Sequence, residues 1–187
     1  MLFRSVRDLG TARRAPAIVD GEGVDHAVYI RGKHQQPGEI APRRYLQAID
    51  GDRAVAWPKD SSGRLQWAQR LVAEENPLTA RVWVNRVWAR LFGRGIVATV
   101  DNFGVQGSAP THPELLDWLA DEFRKEGAWS TRKLIRRIVL SRAYQRSVVA
   151  ADPDAARLDP QNLLLSHANL RRLEGEAIRD EIGRAHV

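Results

Sequence analysis

The pattern of hydrophobic and polar positions changes near residue 64 of the chain. From there on, apolar residues recur at the three- and four-residue spacing of amphipathic helices. This spacing predicts helices at 65–75, at 77–92, from Thr111 to Gly127, from Ser130 to about Ala143, and from Leu170 to at least Asp180. Before residue 64, the one clear strand pattern is His26–Ile30. The predicted fold class is mainly α, with about five helices in a compact bundle and a short β element in the N-terminal arm.

Residues 6–63 are rich in glycine, proline and charged residues, so we expect an extended arm before a helical domain at 64–180. Within the arm, Gln36-Pro37-Gly38 has the composition of a turn. Late in the chain, Asp152-Pro153 and Asp159-Pro160 indicate a polar loop before the last helix.

The polar residues of the helix that follows Pro77 divide into two groups. At 100° per residue, one side of the helix collects three residues that we expect to be solvated: Thr79, Arg86 and Arg90. Arg81 and Asn85 fall instead inside the apolar arc, among leucine, valine, tryptophan and phenylalanine. These two residues are therefore predicted to point into the interior.

A buried Arg81 requires a partner, because an unpaired charge in a core costs several kcal/mol. Glu174 is the predicted partner, since on the last helix it projects close to Leu170 and Ile178. The sequence thus predicts a structural ion pair between Arg81 and Glu174, with substrate binding by Arg81 as the alternative.

Two further helices carry most of the predicted core. The first opens with Thr111 and Glu114 spaced as a capping box, and the second is capped by Ser130. The predicted core residues are Leu115, Leu116, Leu119, Ala120, Phe123, Leu134, Ile135, Ile138 and Val139.

Histidine provides the main candidate for acid–base chemistry. His112 follows a glycine-containing loop, 101–110, that could form a cleft beside the helix start. The alternative is an ordinary helix-start residue. With Arg81, Asn85 and Asn102 it makes up the set of catalytic candidates, and the sequence leaves open whether the domain is an enzyme. The histidine spacing fits no zinc motif, and neither a metal site nor a cofactor site is predicted in this chain.

The formal net charge is +6, and 25 of the 29 basic residues are arginine. That skew is typical of GC-rich coding, so it argues against nucleic acid as a partner. The helix after Ser130 nevertheless carries a basic outer side, with no acidic residue between Gly127 and Ala150. Four residues on it are candidates for binding an anionic polysaccharide, lipid headgroups, nucleic acid or an acidic partner domain: Arg132, Lys133, Arg136 and Arg137. The alternative is a solvated face.

Two absences from the sequence narrow the chemistry of this chain. Without cysteine, it can hold neither a disulfide, a thiolate metal site nor a covalently attached haem. No apolar run approaches the roughly 18 residues of a membrane span.

Both ends of the chain read like translated sequencing adapter: MLFRS at residues 1–5 and EIGRAHV at residues 181–187. We therefore expect these residues to be adapter-derived and the helical domain to be truncated at its C-terminus.

Several long motifs occur in order along the chain: NPLTARVWVNRVWARLFGRGIV, DNFGVQGSAPTHPELLDWLADEF, STRKLIRRIVLSRAYQRS, DPQN and RRLEGEAIRD. Together they resemble the C-terminal domain of unknown function of planctomycete-type proteins associated with cytochrome c, and AVYIRGKHQQPGE resembles the segment that precedes it. The resemblance covers roughly residues 26 to 180.

The resemblance implies a place in a larger protein rather than a reaction. Its parent proteins look exported, so a periplasmic or other extracytoplasmic location is expected. They often carry haem c in an upstream domain, and such domains are the expected partners of this one. We therefore expect an accessory or docking module, with a catalytic domain acting on extracellular polysaccharide as the competing hypothesis.

Overall fold

The computed structural model describes residues 18–51, 57–149, 153–170 and 172–184. The chain divides into two compact units at the boundary between Asn76 and Pro77. Of the expected adapter-derived residues, 1–5 and 185–187 lie outside the described residues, whereas 181–184 form the end of the last helix.

The N-terminal unit begins with a β-hairpin. Strand β1, His26–Tyr29, pairs antiparallel with strand β2, Pro37–Ala41. The chain reverses through a 3₁₀ turn at Ile30–Gly32 and the residues after it. The turn predicted at Gln36-Pro37-Gly38 is therefore wrong, because two of its three residues open β2. Proline fits there, since the first residue of a strand can lack an N–H.

Two helices complete the described part of this unit: α1, Gln47–Asp50, and α2, Arg64–Leu71. The prediction of a helix at 65–75 is confirmed for its first part. Its apolar side, however, is not buried, since Leu65 is 65% exposed and α2 has no buried residue. Amphipathic spacing identified the helix correctly but not what covers it.

The C-terminal unit is built around three helices that pack on one another: α3, Leu78–Phe92, α4, Pro113–Arg124, and α5, Thr131–Val139. Helix α3 ends where predicted, at Gly93 with φ +84°. The core cluster consists of Ala80, Val84, Trp88, Phe92, Ile96, Val97, Leu116, Leu119, Ala120, Phe123, Leu134 and Ile138.

Two predicted details of these helices are wrong. Helix α4 has His112 as its N-cap, and the side chain of Thr111 donates to the carbonyl of Ile96 at 3.3 Å instead of forming a capping box. That carbonyl also accepts the Thr111 N–H, so the threonine fastens the preceding loop. Ser130 caps α5 as predicted, but Ile135 is 38% exposed rather than part of the core.

The chain beyond α5 departs most from the predictions. Helix α6, Pro153–Leu158, lies inside the segment predicted as a polar loop. The last helix, α7, is Gly175–Arg184 and so starts later than the predicted Leu170. The fold class is confirmed, since five of the described helices have at least eight residues: α2, α3, α4, α5 and α7. None of the helices within the described ranges has the length and hydrophobicity to cross a membrane.

Candidate functional site

Asn85 lies at the centre of the C-terminal unit. It is completely buried, as predicted, and its amide makes two hydrogen bonds to one residue. Its Oδ1 accepts from the Val97 N–H at 2.9 Å, and its Nδ2 donates to the Val97 carbonyl at 3.0 Å. Gly95 approaches this amide so closely that a Cβ there would lie 2.8 Å from Nδ2. The buried Asn85 side chain therefore holds the backbone of Val97, in the segment after α3, through hydrogen bonds.

Arg81 has a different partner from the one predicted. Its Nε donates to Asp117 of α4 at 2.5 Å, and its Nη1 donates to the Pro77 carbonyl at 2.9 Å. The side chain is 33% exposed, because the long arginine carries its guanidinium from the apolar arc to the helix edge. This hydrogen bond holds the pKa of Asp117 below its ordinary value and raises the pKa of Arg81.

The predicted ion pair between Arg81 and Glu174 is thus wrong. Glu174 pairs with Arg90 instead, and both side chains are largely exposed. The solvated positions predicted for Arg86 and Arg90 are confirmed. The prediction of burial inside the apolar arc is therefore confirmed for the short amide side chain of Asn85 and is wrong for the long guanidinium of Arg81.

A polar network fastens the DPQN segment to the end of α3. Asn162 is buried, and its Nδ2 donates to the His167 carbonyl at 2.8 Å and to Asn169 Oδ1 at 2.9 Å. Ser166 donates to Asn162 Oδ1 at 3.0 Å, and Asn169 Nδ2 donates to the Phe92 carbonyl at 3.4 Å. Asn162 has φ +49°, a backbone conformation that asparagine tolerates better than most residues. Sequence reasoning noticed the motif but missed this role.

His112 lines a small cavity beside this network, together with Trp88, Arg94 and Asn162. The cavity has a volume of about 20 Å³, which is the space of a single water molecule. The Nδ1 atom of His112 lies 3.0 Å from Thr111 Oγ1. The arrangement orients the imidazole, but the enclosed space does not accommodate a sugar ring.

The four catalytic candidates do not share one environment. His112 lines the small cavity, whereas Asn85 is completely buried and bonded to Val97, and Arg81 belongs to a salt bridge nearer the start of α3. Asn102 is exposed and shapes its own loop, with Oδ1 accepting from the Gly104 N–H at 3.0 Å. Each of the four candidates therefore makes its contacts in a different place, and the structure does not bring them together in one site.

A larger groove, of about 410 Å³, runs between the end of α4 and α5. Its volume is within the range of ligand-binding clefts. Its walls and floor are formed by Glu122, Phe123, Glu126, Gly127, Lys133, Leu134, Arg136, Arg137 and Leu140. This α4–α5 groove was not predicted, because its two sides come from helices whose relative placement is a tertiary property.

One ion pair and one hydrogen bond cross the groove. Arg137 Nη1 lies 2.6 Å from Glu122 Oε1, and Lys133 Nζ donates to the Glu126 carbonyl at 3.4 Å. The Arg137 guanidinium also lies over the ring of Trp118, 5.6 Å from its centroid, in a cation–π contact. Trp118 is 52% exposed, so an aromatic surface adjoins the cationic one.

The four basic candidates on α5 are all largely or partly exposed, and they fall into two pairs. Arg137 and Lys133 have the contacts just described. Arg132 and Arg136 have no carboxylate within ion-pair distance among the residues that the structure describes. The guanidinium groups of Arg132 and Arg136 therefore face solvent, next to Arg137, whose side chain is held by Glu122 and Trp118.

Metal binding receives no support from the described part of the chain, which contains no group of three histidine or acidic side chains placed to hold a metal ion.

Comparison with known proteins identifies a family for most of the chain. A family model described as "PSD1: Protein of unknown function (DUF1553)" matches residues 63–186. No curated protein and no solved structure matches the chain. The matched span includes the DPQN network, the His112 cavity and the α4–α5 groove.

Proposed function

This chain belongs to the PSD1 family of proteins of unknown function, and we propose that it is an accessory module that docks an acidic protein surface through the outer side of α5. The docked surface belongs to an upstream domain of the same parent protein. In this proposal the parent is exported and carries a cytochrome c domain, in line with the resemblance of the sequence motifs.

The observation that carries the proposal is the arrangement of Arg132 and Arg136. Both are exposed and lack a carboxylate partner among the described residues. A guanidinium matches a carboxylate geometrically and loses little hydration on pairing. Next to them, Arg137 is held in place by Glu122 and by the Trp118 ring. A partly preorganised cationic surface reduces the entropy lost on binding.

The separation of the catalytic candidates also favours docking over catalysis. General acid–base chemistry requires groups within hydrogen-bond reach of one substrate. Here His112 faces a space for one water, and Asn85 is occupied with Val97 on both its amide atoms. The contacts of His112 and Asn85 are those of residues that stabilise the fold.

The proposal is tested by charge reversal on α5. We expect the full chain to bind immobilised poly-glutamate with an affinity that falls as salt is raised. Arg132→Glu with Arg136→Glu should weaken this binding at least tenfold. A control of equal net charge, Arg157→Glu with Arg172→Glu, reverses two exposed arginines elsewhere and should change binding less than threefold.

Three results would contradict docking of an acidic protein surface through α5. Equal weakening by both variants would show that only net charge matters. Unchanged binding in the α5 variant would exclude this face. Binding to heparin together with no binding to poly-glutamate would replace the protein partner with an anionic polysaccharide.

The parent architecture has its own test, in the gene sequence upstream of this chain. A signal peptide together with a C-x-x-C-H motif is expected. A complete upstream reading frame with neither of them would overturn the exported, cytochrome-linked part of the proposal and leave the docking face untouched.

A further inference from the structure

The small cavity beside the DPQN network joins three parts of the C-terminal unit. It is lined by Trp88 of α3, by Thr111 and His112 at the start of α4, and by Asn162 and Asn169 of the polar network. Its volume is about 20 Å³. A protein cavity of more than roughly 10–15 Å³ holds a water molecule when about 2–4 polar groups face it. The polar atoms that line this cavity therefore decide what it binds.

The indole of Trp88 supplies a hydrogen-bond donor. Trp88 is 6% exposed, and its Nε1–H has no hydrogen-bond partner among the residues that the structure describes. By contrast, the Nε1–H of the half-exposed Trp83 donates to Thr131 Oγ1 at 3.1 Å. A buried indole N–H usually finds a partner, because leaving a buried donor unpaired costs free energy. The N–H of Trp88 therefore requires an acceptor.

The imidazole of His112 supplies an acceptor. Thr111 Oγ1 has one proton, which it donates to the Ile96 carbonyl at 3.3 Å. The same oxygen lies 3.0 Å from His112 Nδ1, so Nδ1 must be the donor in that contact. In a neutral imidazole with a proton on Nδ1, the other ring nitrogen accepts hydrogen bonds. His112 Nε2 therefore offers a lone pair at the cavity.

The amide oxygen of Asn169 supplies a second acceptor. It accepts from Asn162 Nδ2 at 2.9 Å, and its second lone pair has no partner within the described ranges. The amide oxygen of Asn162 is already used twice, since it accepts from Ser166 Oγ at 3.0 Å and from the His167 N–H at 3.4 Å. Of the two asparagines that line the cavity, Asn169 is the one whose oxygen can accept a further hydrogen bond.

We propose that one long-lived water molecule binds in this cavity and makes three hydrogen bonds. It accepts from Trp88 Nε1–H and donates to His112 Nε2 and to Asn169 Oδ1. Buried waters make about three hydrogen bonds on average, so this set is complete. The water connects α3, the start of α4 and the polar network, and it gives the second ring nitrogen of His112 a structural role. None of its three partners belongs to the docking face of α5, so this inference and the docking proposal are tested independently.

The first experiment detects the water by NMR of the full chain labelled with ¹⁵N. The indole signal of Trp88 is assigned by its loss in Trp88→Phe. We expect its cross-peaks to water to have opposite signs in laboratory-frame and rotating-frame NOE spectra, which identifies a long-lived bound water. The control is Trp67, whose ring is 44% exposed. It should give equal signs, because short-lived surface water and proton exchange both do. Equal signs at Trp88, or no cross-peak there, would overturn the proposal.

The second experiment removes one acceptor. In His112→Leu the water loses a hydrogen bond and exchanges faster, so the opposite signs at Trp88 should disappear. The matched control is Glu114→Leu, an exposed residue in the first turn of α4 that does not line the cavity. This control should retain the opposite signs. Retention in both variants, or loss in both, would contradict a water held by His112.

The third experiment tests the hydrogen-bond direction at His112 without changing a residue. Long-range ¹H–¹⁵N correlation of the neutral imidazole should show the proton on Nδ1. In Thr111→Val the acceptor of that proton is removed, so the form with the proton on Nε2 should become populated. A proton on Nε2 in the unaltered chain would refute the proposal, because that nitrogen would then be unable to accept from the water.

Discussion

The two units of this chain are stabilised by different kinds of contact. In the described part of the N-terminal unit, the buried side chains are Tyr45, Asp50 and Asn76. Their contacts are polar, since Asn76 Nδ2 donates to Tyr45 Oη at 2.9 Å and Asp50 forms an ion pair with Arg70. In the C-terminal unit, twelve hydrophobic residues form one cluster, ten of them in α3, α4 and α5 and two, Ile96 and Val97, in the segment after α3. A small unit with little apolar surface to bury depends on hydrogen-bond geometry, whereas a larger core depends on area removed from water.

The hydrogen bonds of Arg43 illustrate how polar contacts stabilise the N-terminal unit. Arg43 donates to Asp25 at 3.3 Å, to the Ser61 carbonyl at 2.7 Å and to the Pro58 carbonyl at 2.9 Å. One side chain thus connects three separate segments of the unit. Such contacts are directional, so they define geometry well but respond to pH and to salt.

The largest expected difference between the units concerns tryptophan. Trp88→Ala removes a buried ring that stacks on Phe92 at 4.1 Å, so we expect a loss of about 3–5 kcal/mol in the free energy of unfolding. Urea denaturation measures this loss. The control is Trp67→Ala in the N-terminal unit, where the ring is 44% exposed and only tilted against Tyr45. A loss of similar size in the control would remove the contrast between the units.

The second prediction concerns the buried hydrogen bonds of the Asn85 amide in the C-terminal unit. Asn85→Leu leaves the buried N–H and C=O of Val97 without their partner, at a cost of about 1–3 kcal/mol for each group. Asn102→Ala removes a single exposed hydrogen bond, the one from the Gly104 N–H, so it should lower the stability by only about 0.5–1 kcal/mol. Thermal unfolding of both variants checks the difference. Equal losses would show that the buried amide has no special role.

The outcome for Asn85 shows what periodicity along the sequence can establish. The hydrophobic spacing of α3 identified its bounds, its glycine stop and the inward position of this short side chain. The same spacing misassigned Arg81, because an arginine whose Cα lies over the core can still extend its guanidinium to the edge. Its partner, Asp117, depends on how α4 packs on α3, and that information is not local.

Capping and loop chemistry were predictable in part for the same reason. Ser130 caps α5 through contacts within four residues, so the local pattern sufficed. Thr111 bonds instead to Ile96, fifteen residues away, and Asn162 organises a network that extends to Phe92. The α4–α5 groove likewise arises only when two helices meet. Distant partners of this kind cannot be identified from spacing in a single sequence.

The third prediction uses acid to separate the two units. The Arg43 N–H donates to Asp25 Oδ1 at 3.0 Å, and this bond holds the pKa of Asp25 below its ordinary value. A carboxyl with a lowered folded-state pKa contributes stability above its unfolded value, about 3.9, and loses it as the pH falls through the folded value. The Val97 N–H donates to the uncharged Asn85 at 2.9 Å, so it has no such dependence.

Amide hydrogen exchange at single-residue resolution follows both groups. Between pH 5 and pH 2, the protection factor of the Arg43 amide should fall while that of the Val97 amide persists, after correction for the intrinsic rate. Asp25→Asn should lower the protection of Arg43 at neutral pH and remove most of its acid dependence. Parallel loss at both amides would mean that the units do not differ in this respect.

The smallest expected effect lies at the edge of the apolar unit, where ion pairs are exposed. The side chains of Arg81 and Asp117 are 33% and 54% exposed, so their coupling should be only about 0.2–1 kcal/mol. A double-mutant cycle with Arg81→Met and Asp117→Leu in urea measures it, and the coupling should decrease in 1 M salt. A parallel cycle with Arg81→Met and Glu174→Leu should give none, because Glu174 pairs with Arg90. A coupling of several kcal/mol in the first cycle would mean that this pair is buried like a core contact, and the C-terminal unit would then depend on charge as the N-terminal unit does.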